Sequence, residues 1–196
     1  MARALETVHG ESGDDAQRRT MYSIDSIGSF ERENPMLDVL HYFWSTLRKG
    51  ADATPHVAEF DITKIVPHAD ARFLSWVDAT PEDPRNFIMA RHPASPIPGM
   101  GAELTGKRLG DIPIPLHAQS VFVEYQRCKR WKTPLFHEIE QIIGGYQRHY
   151  YRLLLPLANE KGDVTRIVYM SHFLTPPRQL YDPKEYGGRQ GPPYTS

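Results

Sequence analysis

The sequence predicts an α+β domain of helices and antiparallel strands. Three observations predict it. A wide apolar stripe at helical spacing runs through 35–49. A second helical segment fills 115–131. Three strand-like segments joined by tight turns then fill 134–174. Of 196 residues, 40% are hydrophobic and 24% charged, which supplies apolar material for one core. Residues 1–33 are polar without sustained periodicity and read as a mobile leader. Residues 34–174 read as the domain. Residues 175–196, rich in Pro, Gly and Tyr, read as an irregular tail.

The elements follow in order. Within the leader, 22–30 carries spaced apolar residues suited to docking on a partner or on the core. Asn34 suits a helix cap and Pro35 a first helical turn. Met36, Leu37, Leu40, Phe43, Trp44 and Leu47 then recur at three- and four-residue spacing. Segment 60–70 reads as a short helical turn, 71–79 as a strand, and 80–84 as a turn rich in Pro and Asp. Segment 85–92 reads as the paired strand, and 93–101 is full of breakers. Helix 115–131 follows. On 134–143, Leu135, Ile139 and Ile143 alternate with Glu138 and Glu140. Gly144–Gly145 is a hairpin signal between that strand and 146–157, and the last strand is expected over 164–174.

Four stretches carry a resemblance to a known family. They are Phe43-Trp44-Ser-Thr-Leu-Arg-Lys-Gly50, then Phe60-Asp61-Ile62 with Ile65-Val66-Pro67-His68, then Glu103-Leu-Thr-Gly-Lys-Arg-Leu109, and Tyr151-Arg-Leu-Leu-Leu-Pro-Leu157 leading to Ile167-Val168-Tyr169. Over 34–174 the chain resembles the PAS-like domain family found largely in alphaproteobacteria, often as short stand-alone proteins. The resemblance implies a five-stranded antiparallel sheet with helices on one face, to which the opening amphipathic helix is an addition. The breaker-rich segment 94–101 departs from the family's pattern. The implied function is that of a stand-alone, non-enzymatic sensor acting in signal transduction, through a homodimer and a partner signalling protein. The implied alternative is a small-molecule or haem receptor using the cavity between sheet and long helix. The expected cavity residues are His117, Val121, Tyr125, Ile139 and Leu153. The expected interaction surface joins Leu40, Phe43, Trp44 and Leu47 of the opening helix to the aromatic strand residues Tyr150 and Tyr169.

Other chemistries have weaker support in the residues. Among nine histidines no His-x-x-x-His pair occurs, and alternation turns His137 away from Glu138 and Glu140, so no metal site is expected. His117, on the first turn of the long helix, is the one haem-ligand candidate of note; His92 and His137 are weaker. Cys128 stands in Gln-Arg-Cys-Lys-Arg rather than a flavin-adduct motif and reads as a small half-buried residue. No Gly-x-Ser-x-Gly elbow, phosphate loop or dinucleotide fingerprint is present. Asp78, Glu138 and Glu140 are the acid–base candidates of a remote enzymatic reading.

Charge and targeting narrow the partners. Net charge is −1, so nucleic acid is not an expected partner. The basic run Arg127, Lys129, Arg130, Lys132 reads as the solvated C-terminal end of a helix. No run reaches the length of a membrane span, and 1–13 lacks the apolar core of a secretory signal, so a cytoplasmic protein is expected without membrane insertion.

Overall fold

A computed structural model of the chain describes residues 4–12, 15–25, 27, 35–64, 74–92, 95 and 101–182. The expectations for 26, 28–34, 65–73, most of 93–100 and 183–196 lie outside the described residues. The described chain is α+β. Its strands are β1 (Ala4–Ser12), β2 (Asp15–Tyr22), β3 (Leu74–Asp78), β4 (Ile88–Arg91), β5 (Leu135–Ile143), β6 (Tyr146–Ala158) and β7 (Val164–Gln179). Its α-helices are α1 (Pro35–Thr46) and α2 (Pro115–Trp131). Short 3-10 turns occur at Ile62–Lys64, Pro84–Asn86, Ala102–Leu104 and Leu109–Asp111. No helix among the described residues is long and apolar enough to cross a membrane.

The strands form one antiparallel sheet in the order β1-β2-β5-β6-β7-β3-β4. Seven strands replace the expected five, because the presumed leader supplies two. Segment 4–22 is a hairpin, and β2 pairs with β5 from Ala16↔Ile142 to Tyr22↔Phe136. That pairing satisfies the backbone groups of β2 along its whole length. The last strand also runs past 174 to Gln179, so the start of the expected tail is sheet. At the β5–β6 turn Gly144 and Gly145 have φ of 53° and 77°, a backbone that a side chain disfavours.

Helices cover both faces, not one. α2 starts at Pro115 and stops at Lys132, whose left-handed backbone (φ 56°) returns its N–H to Cys128 O. It packs on one face with Tyr125, Cys128, Leu154, Ile167 and Tyr169 in a common core. α1 packs on the other with Leu37, Leu40 and Trp44 against Leu74, Leu153, Leu155, Leu157 and Val168. Trp44 Nε1 donates to Pro156 O at 2.8 Å, so the indole is buried with its polar atom satisfied.

Candidate functional site

Alternation decides what faces α2. On β5 it is Leu135, His137, Ile139, Gln141 and Ile143, all buried. Register carries the pattern sideways. Gln17, Arg19 and Met21 of β2 oppose Gln141, Ile139 and His137, and Arg148, Tyr150 and Arg152 of β6 oppose the same three from the other side. Helical spacing on α2 sends His117, Ser120, Val121, Glu124 and Tyr125 down onto them.

The centre of this layer is Glu124, 4% exposed. Its carboxylate forms ion pairs with Arg19 and with Arg152, and His137 Nε2 lies 3.9 Å away. Arg19 Nε donates to Gln17 Oε1 at 3.0 Å, and Arg19 Nη2 lies 3.5 Å from His117 Nδ1. With its amide oxygen turned toward Arg148, Gln141 accepts from Arg148 Nε at 2.8 Å and from Tyr150 Oη at 3.1 Å. Among the described residues, His137 Nδ1 and Arg152 Nε are buried with no hydrogen-bond partner.

Burial sets the ionisation states. It pushes the His137 pKa down to about 3, assisted by the charge of Arg19, so the ring is neutral. His117 is driven the same way by burial and then by Arg148 and Arg19. Burial raises Tyr169 to about 12 and Tyr125 well above the usual phenol range, so both keep their protons. A guanidinium stays charged even where burial opposes it, as it does at Arg19, Arg148 and Arg152. The buried set Arg19, Arg148, Arg152 and Glu124 thus holds three cations against one carboxylate.

A cleft of about 360 Å³ opens between the β1–β2 hairpin and α2. Arg19, Glu124, Gln17 and His137 supply polar lining, and Val8, Leu116 and Val123 supply apolar lining. At its rim Arg127 grips Glu6 with two bonds, Nη1–Oε2 at 2.6 Å and Nη2–Oε1 at 3.2 Å. That grip holds the Glu6 pKa below the usual carboxylate range.

The predicted cavity residues divide. His117, Val121, Tyr125 and Ile139 lie in the layer under α2, whereas Leu153 points to the α1 side. Tyr125 meets Tyr169 edge-on at 5.7 Å and fills the middle of that layer, so the open space lies toward the hairpin. The predicted interaction surface is not one surface. Leu40 and Trp44 are consumed by the chain's own sheet, and Tyr150 and Tyr169 are buried on the opposite face under α2. Phe43 and Leu47 are half-buried, Phe43 edge-on against Phe60.

The remaining candidates are occupied otherwise. Cys128 is fully buried and burial pushes its thiol up, away from reactivity. His92 Nδ1 lies 2.6 Å from Tyr169 Oη. In the basic run, Lys129 Nζ donates to Ala79 O and Pro81 O, and Lys132 Nζ to Gly162 O. On the sheet face away from α2, the ligand atoms of Glu138, Glu140 and His149 lie within 4.8 Å of one another, beside a concavity of about 530 Å³. Their carboxylate oxygens are already engaged. Tyr22 Oη and His149 Nε2 contact Glu138 at 2.7 and 2.8 Å, and Arg18 pairs with Glu140.

Sequence reasoning missed Arg19, Glu124, Arg148 and Arg152. Glu124 alone left a local signal, standing seven residues from His117 on the stripe that points inward. No family model, curated protein or solved structure matches the chain.

Proposed function

We propose that this chain is a PAS-like sensor domain that binds a small molecule in the cleft between α2 and the β1–β2 hairpin. The carrying observation is the cleft itself: about 360 Å³ in volume, apolar along Val8, Leu116 and Val123, with the buried polar groups Gln17, Arg19 and His137 converging on it. The strand arrangement supports the family reading. The five strands within the resembling segment are contiguous in the sheet, in the order β5-β6-β7-β3-β4, and α2 roofs one face of them. The hairpin is then an addition that widens the sheet beneath the helix. No reaction step is assigned to the site. Native mass spectrometry on protein purified from its own host tests this. A stoichiometric co-purifying mass, lost from a Val123→Trp variant whose side chain blocks the mouth, is the expected result. Protein that arrives empty and gains no thermal stability from a broad metabolite screen would overturn it.

A second reading keeps the homodimer. β1 is a terminal strand of the sheet, with Leu5 and Val8 about half exposed. Such an edge invites strand addition from a second copy. Light scattering at micromolar concentration should then give twice the chain mass, and Val8→Pro should return it to one.

A further inference from the structure

Resting on that cleft reading, we infer that the ligand is a small organic acid whose carboxylate is held by the Arg19 guanidinium and whose apolar body lies against Leu116 and Val123. The first support is the charge imbalance. Three buried guanidiniums share the layer with one buried carboxylate, which pairs with Arg19 and Arg152, so positive charge is in excess there among the described residues. No second carboxylate is buried among the described residues. Glu6 is engaged by Arg127 at the rim. Tyr125 and Tyr169 are neutral phenols, and His117 and His137 carry no negative charge in any state. Buried charge is tolerated where it is paired, so an anion entering the layer relieves a cost already built into the fold.

Donors are available where the anion would sit. A guanidinium has five N–H groups, and Glu124, Gln17 and His117 occupy three of those on Arg19. The other two, one on Nη1 and one on Nη2, are left for an acceptor such as a carboxylate. His137 lines the same cleft, and its Nδ1 is buried with no partner. The neutral ring presents a donor there when the proton sits on Nδ1. Leu116 and Val123 of α2, with Val8 beside Arg19 on the hairpin, form an apolar wall that Gln119 and Ser120 interrupt. A bare inorganic anion would leave that wall wet, whereas an acid with a short apolar body fills it.

Calorimetric titration of the full chain tests the inference. The probes are monocarboxylates of two to ten carbons, straight-chain and aromatic, each beside its neutral primary amide, with chloride and inorganic phosphate as small-anion controls. The best acid should bind about tenfold or more tighter than its amide, the difference expected of a charge-assisted pair. Val123→Trp, a half-exposed position on α2, should abolish that binding while leaving the circular dichroism spectrum unchanged. Equal binding of acid and amide overturns the inference and leaves the cleft reading intact. Phosphate binding as well as the best acid overturns it as well, as does acid binding that survives Val123→Trp. If neither series binds, the inference falls, and the cleft reading stands or falls on native mass spectrometry and the metabolite screen.

Discussion

Along β6, Leu153, Leu155 and Leu157 enter the layer under α1, while Arg148, Tyr150 and Arg152 enter the layer under α2. One strand thus serves two interiors of opposite character. The α1 layer is apolar, with one indole N–H satisfied by Pro156 O. Burial of apolar area stabilises it by about 25 cal/mol per Å². The α2 layer holds an Arg–Glu–Arg cluster with excess positive charge. Replacing such a cluster by well-packed apolar residues is often neutral or stabilising, so stability does not explain it. The difference teaches that the α1 side holds the fold while the α2 side is built for something else to enter.

The sharpest way to break this comparison is to exchange the character of two neighbours. Leu153→Arg places an unpaired cation among Trp44, Leu155 and Val168 and should cost more than about 4 kcal/mol, enough to prevent folding. Arg152→Leu leaves Glu124 still paired with Arg19 and removes one surplus charge. It should stay within about 1 kcal/mol of the parent in urea unfolding. Equal damage from both would show that the two layers do the same job.

Next in size is loss of each layer's keystone. Trp44→Ala should cost about 3–5 kcal/mol through cavity formation, with no dependence on salt. Glu124→Leu should cost a similar amount, about 3–5 kcal/mol, by stranding Arg19 and Arg152. The two separate when anions are added: several hundred millimolar sulfate or benzoate should restore part of the Glu124→Leu loss beyond its effect on Trp44→Ala. A common response of both variants would sink the charge argument.

Acid supplies a third test with a defined sign. His137 titrates near 6.5 when unfolded and near 3 when folded. Between those values the unfolded chain binds a proton that the folded chain does not. Stability is therefore fully present above about pH 6.5 and declines as pH falls toward 3, by up to about 1.4 kcal/mol per pH unit for this residue. His117 and His41 shift in the same direction, both through burial. His137→Phe should flatten the decline in chemical-denaturation series run from pH 7 to 4; an unchanged slope would place the acid sensitivity elsewhere.

What was legible in the sequence follows the same division. Both helices were legible because an apolar stripe at 3.6-residue spacing is a local signal, and α2 was bounded at Pro115 and Trp131. What covers a stripe is not local. Leu40 and Trp44 looked like a docking surface until their own sheet was seen to take them. The hairpin escaped notice because Arg18-Arg19-Thr20 lacks an apolar alternation and gains its stability from pairing with β5, more than a hundred residues away. The arginine cluster escaped for the same reason. Arg19, Glu124 and Arg152 meet only through sheet register and one helix face, and a single polar residue on each element reads as solvent-facing.

The smallest effect lies at the cleft's rim. Glu6 and Arg127 are each about one-third exposed, and their two-bonded pair ties β1 to α2 across the mouth. Water reaches both groups, so the pair should contribute less than about 1 kcal/mol, and less again in salt. Glu6→Gln should therefore barely move the unfolding midpoint. Its consequence should instead be kinetic. The pair is a latch between β1 and α2, so loosening it should speed ligand entry and exit with the affinity little changed. Stopped-flow titration with the tightest acid found would show both rate constants rising together. A change in affinity without a change in rates would mean that Glu6 touches the ligand rather than the door.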